Sequence, residues 1–84
     1  MKKVYKVIGQ LAVELQARNM RMTFSKLNER LGKLGMAHGS NRGLASAVAA
    51  AYRHWEREDP NSNVHDAIAS VFLDRNGDYA YENY

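Results

Sequence analysis

The chain has 84 residues, 45% hydrophobic and 25% charged, with no cysteine and a net charge of +3. That length holds one domain, since two would each be too small to bury a core, and the composition is that of a globular chain, not a disordered one. The lack of cysteine excludes disulfides and thiolate metal sites, while the positive charge makes a polyanion or an acidic protein the natural partner.

The opening MKKVYKVIGQLAVELQ predicts a first helix over residues 3–18. Val4, Val7, Ile8, Leu11 and Leu15 recur at helical spacing and fall within about 100° of arc. Lys6, Gln10 and Glu14 occupy the outer face and break what would otherwise be the apolar core of a signal peptide. No uninterrupted apolar run reaches the roughly 20 residues that cross a bilayer, so the expectation is a cytoplasmic protein with no membrane association. Asn19 is a plausible stop.

Thr23 or Ser25 can cap a second helix over 24–34. Phe24, Leu27, Leu31 and Leu34 form its buried stripe, Lys26, Glu29, Arg30 and Lys33 its outer face, and Gly35 its stop. After a Gly35–Gly39 loop, Ser40 or Asn41 can cap a third helix over 41–58, which must finish before Asp59-Pro60. Leu44, Val48, Ala51, Tyr52 and Trp55 gather on one side of it; Arg42, Ser46, Ala49, Arg53 and Arg57 gather on the other. Asn63, with Asp66 three residues on, reads as a capping box for a fourth helix over 64–73 that buries Val64, Ile68, Val71 and Phe72. The tail DRNGDYAYENY allows a small hairpin or wing at Asn76-Gly77. Alternatively, Asn76-Gly77 ends the last helix and the tyrosines run as an extended arm, which is slightly favoured. The expected fold is mainly α: a compact bundle of about four helices in one domain over 1–84. Residues 1–58 would form a tri-helical core, with 59–84 adding a short helix and a tyrosine-rich tail.

Catalytic and metal chemistry find little footing. His38, His54 and His65 lie in a loop and two different helices, without metal-ligand spacing, and no strand-turn-helix elbow presents a nucleophilic serine. Asp74, Asn76 and Asp78 imitate the start of a calcium loop, but Tyr79 stands where its glycine is required. GMAHGSNRG lacks the lysine of a phosphate loop. The expectation is a protein that is not an enzyme, with no cofactor and no metal.

The charge is uneven. Residues 1–43 carry nine Lys/Arg against two acids, and residues 44–84 carry three against seven. A basic second helix, a loop, and a third helix with Arg42, Ser46, Arg53 and Arg57 on its free face together resemble a tri-helical helix-turn-helix core spanning roughly Lys3 to Glu58. The resemblance implies that the third helix enters the major groove, the second lies across the backbone and the first braces both. Ser40, Asn41, Arg42 and Ser46 would then meet base edges or phosphates, Lys26, Arg30 and Arg53 would meet phosphates, and Ala49 would permit close approach. The five-residue link from Gly35 to Gly39 is longer than the usual turn, and Glu56, Glu58 and Asp59 place acids at the far end of the third helix. RGLA…AAYRHW…AIASVF…GDYAYE, over residues 42–82, also resembles small uncharacterised proteins of phages and other mobile elements, which implies a regulator or inhibitor of a host system and no particular activity.

Two readings follow. The leading one is a small nucleic-acid-binding module, a regulator that holds duplex DNA through the third helix and a basic face. The other is an adaptor or inhibitor without catalysis that docks its basic face on an acidic host protein, or its tyrosine tail on an apolar one. The alanine run Ala45, Ala47, Ala49, Ala50 and Ala51 lets another helix pack close, either from the same chain or from a second copy in a homodimer.

Overall fold

The apolar spacing of the sequence reappears as four helices, with a pair of very short strands between them. The computed structural model describes residues 2–36, 40–74 and 76–77, Asn41 by its backbone alone. In chain order these are α1 (Lys3–Ala17), β1 (Met22–Thr23), α2 (Phe24–Lys33) and α3 (Asn41–Glu58), then a 3-10 turn at Pro60–Ser62, α4 (Val64–Val71) and β2 (Phe72–Leu73).

The first two helices stop by the same device. Asn19 and Gly35 each adopt a left-handed backbone, with φ of 55° and 75°. The next amide then turns back: Met20 N–H donates to the Leu15 carbonyl at 2.9 Å, and Met36 N–H to the Leu31 carbonyl at 2.8 Å. These bonds satisfy carbonyls that the helix end would leave open, and bring Met36 onto the core. Arg18 and Leu34 become cap residues one position beyond the last turn. Leu34, expected in the buried stripe, is therefore 54% exposed.

At the helix starts, Thr23 Oγ1 accepts from Lys26 N–H at 3.3 Å and Ser40 Oγ from Gly43 N–H at 3.1 Å. The capping box at Asn63 does not form. Asn63 has φ 61°, whereas a capping side chain needs an extended backbone to reach the first-turn amides. Ser62 takes that role, accepting from Val64 N–H at 3.3 Å while donating to the Asp59 carbonyl at 2.8 Å.

The fourth helix ends at Val71, two residues before the expected end. Phe72 turns to an extended backbone, and Phe72–Leu73 pair in parallel with Met22–Thr23, Met22 opposite Phe72 and Thr23 opposite Leu73. Phe72 stays fully buried, so the core gains the same side chain from a strand that the helical pattern offered it. Asn76-Gly77 therefore does not end this helix. Gly77 N–H closes a turn onto the Asp74 carbonyl at 3.0 Å, and Asn76 N–H bonds Asp74 Oδ1 at 2.8 Å. The tyrosines at 79, 81 and 84 lie outside the described residues.

One apolar cluster joins all four helices: Ile8 and Ala12 of α1, Leu27 and Leu31 of α2, Leu44 and Ala51 of α3, Ile68 and Val71 of α4. The largest helix–helix interface is α1 on α4, and α3 packs on both, whereas α2 leans mainly on α3 and β1. Gly9 controls how α1 meets α3. Trp55 Nε1–H donates to the Tyr5 carbonyl at 2.8 Å, laying the indole along the backbone of α1. A Cβ on Gly9 would stand 2.6 Å from Trp55 Cε2, inside contact distance, so only glycine fits. Among the described residues, no helix is long and apolar enough to cross a membrane.

Candidate nucleic-acid interface

The eighteen residues of α3 carry the candidate site. Its inner face is set by Leu44, Val48 and Ala51, all buried, with Tyr52 and Trp55 half-buried beside them. Exposed positions lie on the opposite side. At 100° per residue, Arg42, Ser46, Arg53 and Arg57 fall within an arc of about 60° and run about 22 Å along the axis. All four are exposed. Among the described residues, no ion pair engages Arg42 or Arg53, while Arg57 bonds Glu58 at 3.3 Å and His54 Nδ1 at 3.1 Å. No carboxylate belongs to this arc. Glu56, three residues after Arg53 and so beside the arc, accepts from the Tyr52 hydroxyl at 3.2 Å.

Ala49 departs from expectation. The helical wheel puts it on the arginine side, yet it is 4% exposed and outside the main apolar cluster. It offers no open surface for a close approach. Ser40 caps the helix, where its exposed hydroxyl oxygen accepts from Gly43 N–H. Asn41 begins α3, and its side chain lies outside the described residues.

The cations of α2 are exposed as well. Lys26 approaches Glu29 at 3.7 Å, and Lys33 approaches the same carboxylate at 4.0 Å, while Arg30 is exposed two turns from the Thr23 cap. The two helices border different clefts among the described residues. Lys26 and Arg30 line one with Leu11, Glu14 and Arg18 of α1. Ser46 and Gly43 line a shallower one with Lys2, Val4 and Tyr5. On α1, the stripe Leu11–Glu14–Arg18 and the stripe Lys2–Tyr5–Gly9 lie on roughly opposite sides. Ser46 thus borders a cleft on one side of α1, and Lys26 and Arg30 border another on the opposite side, while Arg42 and Arg53 share the exposed arc of α3 with Ser46.

Lys2 and Tyr5 were not legible as neighbours of α3. Lys2 Nζ lies 5.7 Å from the Tyr5 ring, which packs on His54 at 5.4 Å between centroids. His65 stands elsewhere, edge-on to Tyr52 at 5.6 Å, with Nε2 3.6 Å from Asp66 Oδ1 and a buried Nδ1 that has no hydrogen-bond partner among the described residues. His38 lies outside the described residues. Among those that are described, no three histidine, aspartate or glutamate side chains converge on a metal-sized site. Comparison of the chain with protein-family models, with curated proteins and with solved structures finds no match.

Proposed function

We propose that this chain is a small nucleic-acid-binding module that engages duplex DNA through α3, as a regulator would. The observation that carries the reading is the exposed arc of Arg42, Ser46, Arg53 and Arg57, in which Arg57 alone pairs with a carboxylate among the described residues, on a helix whose other side is anchored in the core. A major groove about 12 Å wide admits a helix, and guanidiniums fork onto phosphates or guanine edges. Lys2 beside Ser46 would add a backbone contact on the same flank of α1, whereas Lys26 and Arg30, on the opposite flank, would lie away from a duplex held by α3. Ser40 accepts the capping bond of the first turn of α3, and its hydroxyl proton would remain to donate to a phosphate or a base edge at that end. No cofactor or metal enters this mode of binding.

The test is the salt dependence of binding to duplex DNA. Each neutralised phosphate contributes about −0.9 to the slope of log affinity against log salt. Arg42→Ala and Arg53→Ala should each flatten the slope by about one unit. Undetectable binding at low ionic strength, or slopes identical to the parent's, would remove α3 as a DNA-reading element.

A further inference from the structure

A second open surface differs in chemistry from the arginine arc. The cleft between α1 and the β1–α2 segment has a volume of about 440 Å³. Its floor is apolar: Leu11 and Leu15 from α1, Met20 and Met22 from the connection to α2. Met20 is half exposed and Met22 half-buried, so unbranched thioethers lie open to solvent. Arg18, Lys26 and Arg30 stand along the rim, with Arg21 bonded to the Met20 carbonyl at 3.3 Å, and Glu14 is the one carboxylate in the lining. A smaller cleft continues it past Leu11, Glu14 and Arg30 to Val7 and Leu34. From Val7 to Arg18 the combined groove follows α1 for about 16 Å, or three helical turns.

A phosphate backbone would use the rim and leave the floor wet, because methionine and leucine give an anion nothing. Floor and rim together are satisfied by a segment that has apolar side chains on one face and carboxylates beside them. Methionine suits such a floor, since its flexible, polarizable chain refits to different apolar shapes. We infer that the α1–α2 groove docks an acidic amphipathic segment of a partner protein, two to three turns long, with its apolar face on Leu11, Leu15, Met20 and Met22 and its carboxylates against Arg18, Lys26 and Arg30. This surface is separate from the arginine arc of α3, so the chain can hold two partners.

The test uses the full chain, labelled with ¹⁵N, and two 14-residue probe peptides with leucine at helical spacing. One carries glutamate at the remaining positions, the other lysine. The glutamate peptide should shift the amides of residues 11–30 that border the cleft and leave those of residues 42–53 in place. Arg18→Glu combined with Arg30→Glu should weaken it at least tenfold, and Met20→Gln several-fold, with circular dichroism confirming that both variants stay folded. Arg42→Ala should leave peptide binding unchanged, which separates this proposal from the DNA reading. Equal binding of the lysine peptide, perturbation centred on α3, or indifference to the charge reversal would overturn it. So would cleft shifts that grow with protein concentration alone, showing a second copy in the groove, or cleft shifts produced by duplex DNA.

Discussion

The indole of Trp55 and the bare Cα of Gly9 form the tightest contact between α1 and α3, and they make opposite demands on a substitution. Gly9→Ala improves intrinsic helix propensity by about 1 kcal/mol. It also drives a methyl into the indole, and overpacking of this kind costs about 1–3 kcal/mol. The clash should win, lowering the midpoint of thermal unfolding. Trp55→Phe in the Gly9 background should lose the bond to the Tyr5 carbonyl, about 1 kcal/mol, while Trp55→Phe combined with Gly9→Ala should recover part of the loss by opening room for the methyl. Additive losses in that cycle would show that the two residues do not touch. His65 offers the converse case. Its buried Nδ1 lacks a hydrogen-bond partner among the described residues, and its ring packs edge-on to Tyr52. His65→Phe keeps the aromatic contact and removes the orphaned nitrogen, so stability should hold or rise in denaturant titration. None of this was visible in the sequence. Gly9 sits inside a helical pattern that predicts only a weak point, and its reason is a partner 46 positions away in the chain.

At the level of elements, local chemistry was legible and long-range pairing was not. Caps at Thr23 and Ser40, the stop at Gly35 and the break before Pro60 all depend on residues within four positions, and the structure has them where the sequence places them. The β1–β2 pair depends on Met22–Thr23 meeting Phe72–Leu73, about fifty residues apart, and two-residue strands carry no alternation to betray them. The same reasoning explains Asn63: residue type promised a cap, but the left-handed turn after Pro60–Ser62 points its backbone the wrong way. The exposed arc on α3 followed from helical periodicity alone. The burial of Ala49 did not, because covering a residue on an outer face is a tertiary event. Two consequences can be measured. Ser40→Ala should cost about 1 kcal/mol through the lost cap, and Ser40→Asp should restore it, whether or not DNA is present. Phe72→Ala should cost about 3–5 kcal/mol, since it empties the core at the point where β2 ties the end of α4 to the start of α2.

Across the whole molecule, the helix-turn-helix resemblance divides the chain after Glu58, and the packing does not. The broadest interface of α1 is with α4, and Ile8, Ala12 and Leu15 belong to the same apolar cluster as Val64, Ile68 and Val71. The short fourth helix is thus part of the frame that presents the arginine arc. A chain ending at Asn63 would expose those side chains, and each apolar side chain left in water forfeits about 1.5–3 kcal/mol. Against a total stability of roughly 5–15 kcal/mol for a small domain, losing several at once leaves no folded state. Residues 1–63 alone should therefore show no cooperative thermal transition. In the full chain, helical circular dichroism and Trp55 fluorescence should change together, because the indole reports on α1 and α3 while most of the helical signal comes from all four helices. A separate early transition in the dichroism, with the fluorescence unmoved, would mean that the first three helices stand without the fourth. The arginine-bearing α3 would then be held by a smaller core than the cluster that joins all four helices.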